Sequence, residues 1–86
     1  MGLDMVEIIV KTENVFDINF YDDELAKIKT VGEFYEIILE KTNNKTKKLE
    51  DLEVWNNLIK IIAKILDINE NEINKSSRFI DDLGAG

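Results

Sequence analysis

Residues 51–66, DLEVWNNLIKIIAKIL, decide the fold class. Leu52, Trp55, Leu58, Ile59, Ile62, Ile65 and Leu66 recur at helical spacing, and Glu53, Asn56, Lys60 and Lys64 lie off that stripe. The segment is therefore predicted to be the longest amphipathic helix of the chain, with Trp55 in the core or at its edge. The chain's period-two run, residues 17–21, is short and has no partner strand, so it reads as an extended connection. An all-α fold follows.

Working outward, residues 3–15 repeat the helical pattern through Leu3, Val6, Ile9, Val10 and, just beyond, Phe16, with Asp4, Glu7, Lys11 and Glu13 on other faces. Asp22 and Asp23 suit the start of a short helix from Asp23 to about Ile28, as caps near its positive dipole end. Thr30-Val31-Gly32-Glu33 has the capping-box spacing and opens a helix through Phe34, Ile37 and Ile38 that ends near Glu40 or Lys41. Residues 42–50, TNNKTKKLE, read as a solvated linker. After the long helix, Asp67 to Ile73 breaks the periodicity, and residues 74–86 read as loop with at most a single turn, pinned to the core by two isoleucines. No internal repeat is evident, and the chain is expected to be one domain.

Composition narrows the function. The chain has no cysteine and no histidine, which removes disulfides, thiolate zinc sites and the commonest nucleophile and general base. The aspartate pairs Asp22-Asp23 and Asp81-Asp82 have no companion base, so no enzyme activity is expected. No metal is expected either, since Glu33, Glu36, Glu40, Asp81 and Asp82 read as solubilising charges. Eighteen acids against eleven bases give a formal charge of −7, which disfavours nucleic acid and favours partners with basic patches. The apolar runs are too short for a membrane span, and the acidic opening of the chain is unlike an export signal; a cytoplasmic location is expected.

Two stretches resemble the acyl carrier protein family, in the reverse of the family's usual order. LDINENEINKSSRFIDDLGA, Leu66 to Ala85, resembles the loop of the family's first half through Ser77, Phe79, Asp81, Asp82, Leu83, Gly84 and Ala85. Leu3 to Gly32 resembles its second half through Leu3, Asp4, Val6, Glu7, Phe16, Ile18, Asp22, Glu24, Ala26, Lys27, Ile28, Thr30, Val31 and Gly32. The resemblance implies a small four-helix bundle with permuted segment order: residues 1–41 as the family's second half, 42–50 as linker, and 51–86 as its first half. A nine-residue linker reaches about 30 Å when extended, which is ample for joining the family's old ends.

The permutation puts the new ends where the family attaches 4′-phosphopantetheine to a serine. Gly2 stands at that serine's position and Gly86 at that of the preceding aspartate, so no covalent arm is expected on this sequence. The Gly86 carboxylate is expected beside the first helix's N-terminus, where it is favoured. Ser76 and Ser77 are the chain's only serines, and Ser77 suits a turn cap better than an attachment point.

What the resemblance retains is a docking helix carrying Asp4, Val6, Glu7, Val10 and Glu13, on which acyl-chain biosynthetic enzymes with basic patches would dock. Lys11 and Thr12 depart from the family's apolar pattern. The function expected is an acyl-carrier-like module of lipid or polyketide-type biosynthesis without an arm. The alternatives are a functional carrier whose serine is supplied otherwise, or a structural oligomerising domain. Either a monomer or a swapped dimer fits the sequence.

Overall fold

The computed structural model describes residues 3–43 and 50–85. Four helices and one 3₁₀ turn account for most of them: α1 (Leu3–Phe16), α2 (Asp22–Ala26), α3 (Val31–Asn43), α4 (Asp51–Leu66) and the turn at Glu70–Glu72. No strand forms among the described residues; Thr30 and Arg78 make an isolated antiparallel bridge. Met1, Gly2, Gly86 and 44–49 lie outside the described residues, and with them the expectations about the serine position, the meeting of the chain ends and most of the linker.

The long helix stands as read from Asp51 to Leu66, and it packs on both α1 and α3. Its buried side is Val54, Leu58, Ile61 and Ile62, while Leu52 is 67% exposed and Trp55 sits at the core edge. The predicted stripe was thus rotated slightly, because α4 touches two neighbours and its flanking apolar positions cannot all face them. The same correction applies to α1. Met5, Ile8, Ile9, Thr12 and Phe16 face inward, whereas Leu3, Val6 and Val10 are exposed. Thr12 is fully buried and satisfies its hydroxyl by donating to the Ile8 carbonyl at 2.6 Å, a back-bond that lets a polar residue occupy a core position.

Helices α1 and α4 end alike, on Phe16-Asp17-Ile18-Asn19 and Leu66-Asp67-Ile68-Asn69. Asp17 and Asp67 are left-handed, with φ of 54° and 57°. The amides of Ile18 and Ile68 then reach back to the carbonyls of Glu13 and Ala63, both at 3.1 Å, closing each helix by the Schellman pattern. The shared Asp-Ile-Asn ending is a short aligned motif where the sequence reading finds no internal repeat. The extended connection after α1 is as expected, with Ile18 and Phe20 inward.

Helix α2 starts one residue earlier than expected and ends at Ala26. Asp22 and Asp23 lie inside its first turn instead of capping it; Glu24 accepts the Tyr21 amide at 2.8 Å. The capping box of α3 is present, with Thr30 N–H donating to Glu33 Oε1 at 2.9 Å and Glu33 N–H donating to Thr30 Oγ1 at 3.2 Å. Helix α3 runs two residues past Lys41, because Thr42 is buried and donates to the Leu39 carbonyl at 3.2 Å.

The C-terminal segment does more than lie on the surface. The first free amides of α3 find their acceptors there: Val31 N–H donates to Ser77 O at 2.9 Å and Gly32 N–H to Lys75 O at 2.8 Å. In return Phe79 N–H donates to Lys29 O at 3.1 Å. These bonds seat Phe79 edge-on to Phe34, with ring centroids 5.8 Å apart, and Phe34 meets Phe20 at 5.0 Å. Ile73 is buried as an anchor, but Ile80 is 64% exposed, and Phe79 and Ala85 do the remaining anchoring.

Two substitutions test this account. A Cβ at Gly32 would lie 2.7 Å from the Lys75 carbonyl oxygen, so Gly32→Ala should destabilise by about 2 kcal/mol. Asp67→Gly should stabilise by about 0.5–1 kcal/mol, by relieving the left-handed strain and removing a negative charge from a helix C-terminus. Urea titration followed by circular dichroism should show the first midpoint falling and the second rising.

Candidate functional site

The outward side of α1 carries much of the apolar surface that the bundle leaves uncovered. Leu3, Val6 and Val10 are 81%, 45% and 48% exposed, spaced to form one ridge along the helix. Glu7 is exposed beside them, and Asp4 is half-buried in the first turn, where the helix dipole favours its charge. Of the residues singled out from the sequence, Val6, Glu7 and Val10 therefore share this side, while Asp4 lies in the first turn toward the edge of the buried face. Glu13 does not belong with them. It is half-buried, and its Oε2 accepts the Phe20 amide at 2.9 Å, holding the connection after α1. Lys11 is exposed and joins Val6, Glu7, Val10 and Asn14 in a shallow groove completed by Ile61, Lys64 and Ile65 of α4.

A deeper feature lies on the opposite side of α1. Met5 and Ile9 from α1, Leu25 and Ile28 from the α2 region and Phe79 line a cavity of about 690 Å³. Its rim carries Lys29, Thr30, Glu33, Arg78 and Asp81. An apolar lining with a charged rim accepts an aliphatic chain and leaves a polar end at the surface. This cavity was not anticipated from the sequence, because its walls come from three separate segments. The one available signal was that Met5 and Ile9 are apolar on a side of α1 distinct from the Val6–Val10 ridge.

Charges around the cavity are held locally. Glu33 Oε1 accepts the amides of Thr30 and Lys29, which hold its carboxyl below the usual carboxylate range. Glu24 is also lowered, first by the Lys41 ammonium 2.9 Å away and then by the Tyr21 amide. Arg78 reaches Asp81 at 3.4 Å while its amide donates to Asp82 at 2.8 Å. Neither serine is a free nucleophile: Ser77 is buried and its Oγ accepts the Asn74 amide at 3.1 Å, while Ser76 Oγ donates to Asn74 Oδ1 at 2.7 Å. Among the described residues no cluster of three acids is placed to hold a metal ion.

Taken together, these features define a small all-α bundle with an apolar cavity beneath an acidic, partly apolar helix. Two curated proteins match the chain, both acyl carrier proteins. That of Amoebophilus asiaticus is 49% identical over 37 residues, covering 43% of this chain and 46% of the relative. That of Picosynechococcus is 52% identical over 41 residues, covering 48% of this chain and 51% of the relative. The likeness to the acyl carrier protein family is thus shown over part of the chain, which spans about half the length of the curated relatives it matches. No family model and no solved structure matches the chain.

The lowered carboxyls give a pH prediction. A carboxylate whose folded pKa is depressed stabilises the fold above its unfolded value, near 4.5 here, and that contribution is lost as pH falls through the folded value. Stability should therefore decline below about pH 4.5. Glu33→Gln should lower stability at pH 7 and flatten the acid limb of a thermal-denaturation profile, which differential scanning fluorimetry from pH 3 to 7 would record.

Proposed function

We propose that this chain is an acyl-carrier-type module of lipid or polyketide-type biosynthesis, non-catalytic and cytoplasmic, with its segments in permuted order. It docks on partner enzymes through Asp4, Val6, Glu7 and Val10, and it carries no covalent phosphopantetheine. The observation that carries this reading is the exposed apolar ridge of α1 bordered by acids, together with the likeness to acyl carrier proteins. An apolar ridge supplies the desolvated centre of an interface, and bordering carboxylates steer it to a basic patch. No helix among the described residues is long and apolar enough to cross a membrane, which suits a module that meets its partners in solution.

The cavity favours a second reading, a functional acyl carrier whose serine is supplied otherwise, because a chain of this size with no cargo has little use for an aliphatic pocket of about 690 Å³. One experiment separates the two. The protein is incubated with coenzyme A, magnesium and a promiscuous phosphopantetheinyl transferase, and its intact mass is compared with that of an ordinary carrier. Binding to the transferase is measured in parallel by calorimetry. The docking module predicts unchanged mass and measurable binding that is lost in Asp4→Lys/Glu7→Lys. A mass gain of one phosphopantetheine, mapped to Ser76 or Ser77, would overturn the armless reading; absence of binding would overturn the docking face.

A further inference from the structure

The groove between α1 and α4 has a charge pattern that a basic enzyme patch does not explain. Glu7 borders it, but so do Lys11 and Lys64, on a chain whose formal charge is −7. Glu7 and Lys11 stand one helical turn apart on the exposed side of α1. Among the described residues neither is engaged in an ion pair. Val6 and Val10, about half exposed, run alongside them, and Ile65 continues the apolar floor on α4.

We propose that this groove receives a second copy of the same chain, with the two α1 helices antiparallel about a two-fold axis. A two-fold contact must be self-complementary, because residue i of one copy meets residue j of the other and the reverse. An axis crossing α1 midway between positions 7 and 11 satisfies that demand. Glu7 of each copy meets Lys11 of the other, and the Val6–Val10 ridges close together over the two grooves. Lys64 adds a further positive charge toward the other copy's Glu7. This patch, with two bases and one acid, lacks the net negative charge of the chain as a whole, so two copies meet there without the acid-on-acid repulsion expected elsewhere.

The contact is small, since α1 is about 21 Å long and contacts well below 1,200 Å² are weak or transient. A dissociation constant on the order of 0.1–1 mM is expected. The dimer covers Val6, Glu7 and Val10, so it competes with any enzyme docked there, and it holds whether or not such docking occurs.

Sedimentation equilibrium from about 0.02 to about 2 mM, a range bracketing that constant, tests the proposal at a single salt concentration. The wild-type chain should pass from monomer to dimer. Glu7→Lys and Lys11→Glu, each bringing like charges together, should raise the dissociation constant at least tenfold, and the double variant Glu7→Lys/Lys11→Glu should restore it. A wild-type chain that stays monomeric overturns the proposal. So does a dimer that both single variants leave unchanged, which would signify exchange of halves between copies, or a double variant that fails to recover. Circular dichroism confirms folding of each variant. Should a variant unfold, the decision passes to amide shift changes on dilution of the wild-type protein, which must centre on Val6, Val10 and Ile65.

Discussion

The fold turns on a short exchange of backbone hydrogen bonds between residues 29–32 and 75–79. A helix N-terminus leaves amides without partners, and at α3 two of these amides are answered by the carbonyls of Ser77 and Lys75. The arrangement joins a segment near the chain's C-terminus to the helix that ends its N-terminal half. It requires close backbone approach, which only Gly32 permits. Once made, it delivers Phe79 into the aromatic group with Phe34 and Phe20, so one polar contact organises the centre of an apolar core.

The two halves need one another for the same reason. Helix α4 buries its face against α1 and α3, both from the N-terminal half. The C-terminal loop fills its own polar requirements partly through α3. Tyr35 extends the union by donating to the Asp51 carbonyl at 2.9 Å and meeting the Trp55 ring edge-on at 5.2 Å. Lys75 lies over both rings, at 5.2 and 5.9 Å. Order of segments along the chain matters little to such a core, because packing depends on which faces meet and not on how they are linked.

Helix α1 serves two surfaces at once. Its inner side contributes Met5 and Ile9 to the cavity wall, and its outer side presents Val6 and Val10. A helix that is apolar over much of its circumference has one side taken up by the core and leaves another exposed where no neighbour covers it. The acids along α1 divide in the same way. Glu7 stands free at the groove, whereas Glu13 is consumed by the Phe20 amide, so residues of one type on one helix have unlike tasks.

How much of this was legible in the sequence depends on the range of the interactions involved. The all-α class, the span of α4 and the capping box at Thr30 and Glu33 were readable, since helical spacing and caps act over a few residues. A resemblance to acyl carrier proteins was readable in the sequence, and the two curated relatives bear it out over part of the chain. The sequence did not tell which of two adjacent apolar stripes on α1 turns inward, because periodicity defines a face and not its neighbour. Nor did it show that Leu52 would stay outside, that Glu13 would be drawn to Phe20, or that Met5, Leu25, Ile28 and Phe79 would enclose a cavity. Local propensity by itself determined that the helices form and roughly where they run; the tertiary structure decided which sides meet and where α3 ends, because burial is settled only when separate segments compete for the same space.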